Sequence, residues 1–219
     1  MKVSPQWVHI AARGRFAGSL APAHRGSGPR DRPDSTWYDP RVISAFRGAN
    51  PQIHELAYVH PAAVLIGDVR IGQESSVWPN ATLRGDDGPI VVGEQTSIQD
   101  NVVIHCVRGR SHTTIGSRVT VGHSAVLHGC TIADDVLIGM GAIILDEARI
   151  EPGVIVAAGT VVSPGKTIPA DSLVVGNPFR VLRRCREQDR ELIAFSWREY
   201  VQRARDYRGE PAEEDPPTR

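Results

Sequence analysis

The sequence predicts an all-β solenoid, a chain that coils through short strands, followed by one amphipathic α-helix. Three observations predict this fold class. Aliphatic residues recur at every sixth position from Val59 to Val174, small residues often follow them directly, and a helical period is confined to the region near the C-terminus. A helix has no period of six and a plain strand alternates by two, whereas short strands joined by tight turns explain both the period and the glycines.

The repeat comprises nineteen hexads, with two insertions and one dropped residue. Its aliphatic positions are Val59, Leu65, Ile71, Val77, Leu83, Val92, Ile98, Ile104, Ile115, Val121, Leu127, Ile132, Ile138, Ile144, Ile150, Val156, Val162, Ile168 and Val174. The pattern resembles hexapeptide-repeat proteins, whose fold is a left-handed parallel β-helix of triangular cross-section. That resemblance implies three hexads per coil and roughly six coils, stacked at the strand spacing of ~4.8 Å.

The remaining segments differ in composition from the repeat. Residues 1–50 are rich in Gly, Pro and Arg and lack hydrophobic periodicity, which predicts a disordered extension. No acidic residue precedes Asp31, as in organellar transit peptides, and a dispensable tail is the alternative. We assign 51–182 to the β-helix, 183–208 to the C-terminal helix and 209–219 to a disordered tail. Helical spacing places Ile193, Trp197, Tyr200, Val201 and Ala204 on one face, which we expect to pack on the side of the solenoid.

Composition narrows the functional classes. The 219 residues carry a formal net charge of zero, which argues against nucleic acid or an anionic membrane as the main partner. No apolar run approaches the ~18 residues that a membrane span needs. Cys106, Cys130 and Cys185 show no paired spacing, so we expect reduced thiols and a cytoplasmic location.

Two histidines occupy equivalent positions in the hexad frame. His105 directly follows Ile104 and His128 directly follows Leu127, three hexads later. They are therefore expected on the same face of adjacent coils, with backbones ~4.8 Å apart, where two imidazoles can bind one metal ion. Arg84 follows Leu83 three hexads earlier and extends the same column.

A third histidine, His123, lies on a neighbouring face near a corner. From there it should not reach a metal held by the other two histidines of its own chain. If it is a ligand, it must serve a metal on another copy, which suggests a three-fold assembly with one metal per interface. Three neutral imidazoles with one open position are the ligand set of a hydrolytic zinc site. Unrelated surface histidines are the alternative.

Longer motifs resemble the gamma-class carbonic anhydrases over about residues 53–208. The motifs are LRGDDGPIVVG, IQDNVVIH and TVGHSAVLHGCTI. The resemblance implies a homotrimer in which His105 and His128 of one subunit and His123 of its neighbour bind Zn²⁺, with Fe²⁺ or Co²⁺ as alternatives. It further implies an ion pair of Arg84 and Asp86 across the interface, Gln99 and Asp100 orienting the metal-bound water and the bicarbonate product, Asp87 as the active-site acid, and Tyr200 closing the pocket.

The implied activity is reversible hydration of carbon dioxide to bicarbonate. The loop CVRGRSHTTIG departs from the best-known active member because it holds no acidic residue to act as a proton shuttle. His112 is a substitute candidate, since its unperturbed pKa is near ~6.5. Two alternatives remain: a metal-dependent thioesterase or an acyltransferase acting on coenzyme A esters, and a non-catalytic trimeric scaffold. Hexapeptide acyltransferases need only a histidine general base, so the presence of all three histidines argues against an acyltransferase. A metal-dependent thioesterase is harder to exclude.

Overall fold

The computed structural model describes residues 43–210, which form a parallel β-solenoid of about 7 turns and a C-terminal helix. The predicted fold class is thereby confirmed. The predicted disordered segments 1–50 and 209–219 lie outside the described residues, except for 43–50 and 209–210.

The strands stack in three faces, each joined by parallel pairing between successive coils. The first face contains β1 (Ile43–Ser44), the first half of β4 (Val64–Ile71), the first half of β6 (Thr82–Val92), β8 (Val103–His105), β11 (Val126–His128), β14 (Ile143–Ile144) and β17 (Val161–Val162). The second contains β2 (Gln52–Ile53), the second halves of β4 and β6, β9 (Thr113–Ile115), β12 (Thr131–Ile132), β15 (Arg149–Ile150) and β18 (Thr167–Ile168). The third contains β3 (Tyr58–Val59), β5 (Ser76–Val77), β7 (Ser97–Ile98), β10 (Thr120–Val121), β13 (Leu137–Ile138), β16 (Ile155–Val156) and β19 (Ser172–Val175), with β20 (Arg180–Arg184) antiparallel to β19.

The observed elements extend beyond the bounds expected from the repeat. Ile43 pairs with Leu65 and Ile53 pairs with Ile71, so strands precede the first counted hexad at Val59. These two strands account for the additional coil relative to the roughly six expected from nineteen hexads. At the other end, β20 runs to Arg184 because it pairs with β19 before the helix begins.

The core consists of the repeated aliphatic side chains. Eighteen of the nineteen positions are buried, and Val59 packs against them partly buried. Small residues after the aliphatics are required where coils approach closely: a Cβ on Gly72 would overlap the backbone of Gly93 in the next coil. The hexad pattern therefore reports the inward-facing side chains and the coil-to-coil contacts directly.

Helix α1 (Glu187–Arg208) lies along the third face, in contact with β3, β5, β7 and β10. It buries Ile193, Val201 and Ala204, while Trp197 and Tyr200 are partly buried, as the helical spacing predicts. Gly209 ends the helix in a left-handed conformation with φ of 75°. Across residues 43–210, no helix has the combination of length and apolar character needed to span a bilayer.

Candidate metal centre

The predicted histidine column is present on the first face of the solenoid. His105 and His128 are directly paired residues of β8 and β11. Leu83 pairs with Ile104 in the preceding coil, which brings Arg84 into the same column. Ile104 and Leu127 are fully buried beneath, and because side chains alternate along a strand, the two imidazoles point outward.

The two imidazoles face each other through one nitrogen each. His105 Nδ1 lies 3.3 Å from His128 Nε2. The opposite nitrogen of each ring contacts a carboxylate: His105 Nε2 lies 3.1 Å from Asp86 Oδ1, and His128 Nδ1 lies 2.8 Å from Asp146 Oδ2. A carboxylate accepts the N–H of a neutral imidazole, so both facing nitrogens carry lone pairs. Two lone pairs directed at one point repel each other, and a cation between them removes that repulsion.

The spacing fits a zinc ion. Zn–N bonds of ~2.0–2.1 Å at a tetrahedral angle separate two nitrogen ligands by about 3.3–3.4 Å, which matches the facing nitrogens. Metal-ligating histidines commonly donate their other ring N–H to a carboxylate, as both rings do here. Among the described residues, His105 and His128 therefore present two facing nitrogens at the separation that two zinc ligands would have.

The Arg-x-Asp motif lies in the first insertion, inside β6. Arg84 Nη1 donates to both carboxylate oxygens of Asp86, at 2.8 and 2.7 Å. Burial acts to raise the pKa of Asp86, but hydrogen bonds from Arg84 and His105 outweigh it and hold that pKa below its usual value. This pair forms within one chain, so the ion pair across an interface stays a prediction.

Asp87 completes a second arrangement around His105. Asp87 Oδ2 lies 3.4 Å from His105 Nε2, and its Oδ1 pairs with Arg108 at 2.5 Å. Among residues 43–210, Asp86, Asp87 and His105 are the one group of three potential metal ligands close enough to share an ion within a chain. Because arginines already compensate both carboxylates, we interpret them as acceptors for the His105 N–H.

His123 lies at the corner after β10, separated from the other two histidines within the chain. Its Nδ1 is 2.9 Å from Asp100 Oδ2, its side chain is 42% exposed, and it is not part of a three-ligand group of the described chain. Asp100 occupies the equivalent corner one coil earlier, where its carbonyl accepts the Ser124 N–H. Gln99 is buried, and its Oε1 accepts the His123 backbone N–H at 3.1 Å. His123 thus has a carboxylate partner like the other two imidazoles.

Tyr200 lies on the inner side of helix α1, near this corner. Its ring packs edge-on against Trp78, with centroids 5.5 Å apart. Burial raises the pKa of Tyr200, and the negative charge of Asp100 adds to the effect. The pocket-closing role of Tyr200 stays a prediction.

Two residues beside the histidine column were missed by the sequence analysis. Asp146 Oδ2 lies 2.8 Å from His128 Nδ1, and Ser111 Oγ donates to Asp146 Oδ1 at 2.8 Å. A sequence signal that could have indicated them is the dropped residue between Leu127 and Ile132, which shortens the turn after His128. His112 follows Ser111 and lines an open groove of about 430 Å³ with Arg110 and Arg149.

Comparisons with known proteins agree with this architecture. Residues 129–164 match the family model for the bacterial transferase hexapeptide (six repeats). A hexapeptide transferase family protein from Anaplasma phagocytophilum superposes with a TM-score of 0.73 at 38% identity, covering 76% of this chain and 98% of that one. The repeat and its paired imidazoles define a hexapeptide-repeat solenoid with a candidate metal centre.

Sequence relatives narrow the class further. A "Probable carbonic anhydrase" of Methanocaldococcus jannaschii is 57% identical over 139 residues, covering 64% of this chain and 87% of the relative. "Gamma carbonic anhydrase 1, mitochondrial" of Arabidopsis thaliana is 42% identical over 167 residues, and the alignment covers 74% of this chain but only 61% of that longer protein. The chain belongs to the gamma carbonic anhydrase family.

Proposed function

We propose that this protein is a zinc-dependent carbonic anhydrase-like enzyme that hydrates carbon dioxide reversibly to bicarbonate. The observation that carries the proposal is the pair of facing nitrogens, His105 Nδ1 and His128 Nε2, at 3.3 Å with a carboxylate behind each ring. Family membership supports the same activity, since the relatives are named carbonic anhydrases.

The third ligand in this proposal is His123 of a neighbouring subunit. Its Nδ1 faces Asp100, so its Nε2 is the nitrogen left to bind a metal. A ligand supplied in one direction from each chain to the next generates a ring where the rotation between chains closes, and a ring of three chains has one metal at each interface. We propose Zn²⁺ as the native ion, with Fe²⁺ or Co²⁺ as alternatives.

An apolar stripe beside the histidine column supports the homotrimer. Six outward-facing residues in register on the first face form this stripe, five of them aliphatic and one a threonine: Val64, Thr82, Val103, Val126, Ile143 and Val161. Val103 is 43% exposed in the single chain. Since the stripe adjoins both metal ligands, other copies of this chain are the partners that would cover it while delivering His123.

We predict that Met140→Glu weakens the trimer. Met140 is 59% exposed at the corner one coil after His123, and the Gly141 N–H donates to the His123 carbonyl. An unpaired carboxylate buried at the interface would cost roughly 3 kcal/mol per chain. Sedimentation analysis should show dissociation at concentrations where the parent protein is trimeric. Leu182→Glu, at a 52% exposed position on β20, is the matched control, and equal dissociation of both variants would contradict the assignment.

Held by His105 and His128 of one chain and His123 of the next, zinc would supply hydroxide at neutral pH, because such a site lowers the pKa of water to ~7. The residues of this chain then bind and orient the reactants. Because Gln99 Oε1 accepts the His123 N–H, its amide nitrogen remains as a donor for a developing oxyanion. Gln99 and Asp100 are proposed to orient the attacking water and the bicarbonate, Asp87 to be the active-site acid, and Tyr200 to close the pocket. His112 is proposed to carry protons to solvent in place of an acidic loop.

The proposed function predicts measurable carbon dioxide hydration by the zinc-loaded protein in a stopped-flow pH-indicator assay. A panel of coenzyme A thioesters, assayed on the same preparation, separates the alternative. The alternative is a thioesterase or acyltransferase, and the observation that supports it is the match of residues 129–164 to the transferase hexapeptide model. Hydration without thioester cleavage supports the carbonic anhydrase, and the reverse pattern overturns it. A metal-loaded trimer without either activity favours the scaffold.

The cytoplasmic location stays a prediction from the unpaired cysteines.

A further inference from the structure

We propose that Asp146, held in place by Ser111, is a positioning residue that fixes the orientation and tautomer of His128 for metal binding. The inference rests on the proposed function, because it concerns a ligand of the same site. Neither residue lies in the three motifs that resemble the gamma-class carbonic anhydrases, which contain the expected metal ligands and water-orienting residues.

The contacts form a chain from a surface loop to the metal ligand. Asp146 Oδ2 accepts the His128 Nδ1–H at 2.8 Å, and Asp146 Oδ1 accepts the Ser111 hydroxyl at 2.8 Å. The Ser111 oxygen in turn accepts the Val107 backbone N–H at 2.9 Å. Both carboxylate oxygens are therefore engaged, which leaves the carboxylate plane one orientation beside the imidazole.

The backbone clears space for this arrangement. Gly129 directly follows His128 and adopts a φ of +58°, and a Cβ there would overlap both the Asp146 carboxylate and the Ser111 side chain. Its N–H donates to the His105 carbonyl at 2.9 Å and to Thr113 Oγ1 at 3.0 Å, which anchors the shortened turn. The close fit therefore involves two of the three irregularities of the repeat: the dropped residue after His128 and the insertion that carries Ser111.

The physical effect is on the lone pair of His128 Nε2. A carboxylate that accepts the Nδ1–H leaves the lone pair on Nε2 and restrains rotation of the ring. Without it the imidazole would exchange between tautomers and rotamers, of which only a part can bind a metal. Loss of such an outer-shell carboxylate typically weakens metal binding by about 10–100-fold.

The test measures zinc affinity of the full chain by competition with a chromophoric chelator. Asp146→Ala should weaken zinc binding by about 10–100-fold. Asp146→Asn should lose less, because its amide oxygen can still accept the Nδ1–H. Ser111→Ala should weaken binding by about threefold to tenfold, the effect of one hydrogen bond. Glu147→Gln is the matched control: it removes a neighbouring charge whose nearest cation, Arg110, lies 3.9 Å away, and zinc affinity should stay unchanged.

The visible absorption of the Co²⁺-loaded protein is a second readout. It reports the ligand geometry at the metal, so a general loss of packing would not account for a difference between Asp146→Ala and Asp146→Asn. The visible bands of the Co²⁺-loaded protein should change in Asp146→Ala and be restored towards the parent spectrum in Asp146→Asn. Parent-like zinc affinity in Asp146→Ala overturns the inference while leaving the proposed function intact. A parent protein without zinc overturns the proposed function and the inference together. If Asp146→Ala does not fold, equal zinc affinity of Ser111→Ala, Asp146→Asn and the parent overturns the inference.

Discussion

His128→Ala is expected to reduce bound zinc from about one ion per chain to below about 0.1. The substitution removes the nitrogen that faces His105 Nδ1 at 3.3 Å and leaves Asp146 without the imidazole that it contacts. The remaining ligands, one imidazole from each of two chains, do not complete a three-histidine zinc site. Elemental analysis of the purified protein, combined with light scattering, measures both the metal content and the mass of the assembly.

The matched control for this substitution is His54→Ala. His54 is exposed and outside the histidine column, and its Nδ1 accepts only the nearby Leu56 backbone N–H at 3.1 Å. Its zinc content should equal that of the parent protein. Stoichiometric zinc in His128→Ala would show that the stacked pair is not the metal site, whatever the fate of the trimer.

Mixed trimers of His123→Ala and His128→Ala chains are expected to bind zinc although neither parent variant does. In a ring where each chain gives His123 to the next, a His123→Ala chain still offers His105 and His128. A His128→Ala chain still offers its own His123. A trimer containing both kinds of chain therefore has one complete interface, and about one zinc per trimer is expected.

Coexpression of the two variants with different affinity tags, followed by tandem purification, isolates these mixed trimers for metal analysis. Mixed trimers of His105→Ala and His128→Ala chains are the control. Both substitutions remove a ligand of the pair that one chain must supply together, so no interface in these trimers is complete. These should stay free of zinc. Zinc retained by pure His123→Ala, or no recovery in the first mixture, would exclude a ligand shared between subunits.

The hexad frame predicted positions along the fold with high accuracy. The reason is that a solenoid repeats one local environment, so each aliphatic residue reports an inward position and each residue after it an outward one. The pairing of His105 with His128 and the adjacency of Arg84 follow from counting alone. The frame did not predict the strands that precede the counted hexads: the solenoid begins at Ile43, which pairs with Leu65.

The carboxylate partners of the imidazoles lay beyond the reach of the frame. Asp86 lies in an insertion and Asp146 lies at a corner, and in both cases the hexad count fixes the strand but not the direction of the side chain. Asp100 lies in the column of His123, one coil earlier, but its 2.9 Å contact with the imidazole depends on the shape of the corner. Such contacts form between coils after the backbone is set.

The solenoid, the helix on its side and the pairing of two histidines could be predicted from the amino-acid sequence, because a strict period in a chain that coils on itself converts sequence distance into spatial distance. The side-chain positions in three dimensions were needed to establish which ring nitrogens face each other, which carboxylates contact the opposite nitrogens, and how Ser111 reaches Asp146. Those features depend on side-chain torsions and on insertions that leave the repeat, and neither is encoded in a period of six.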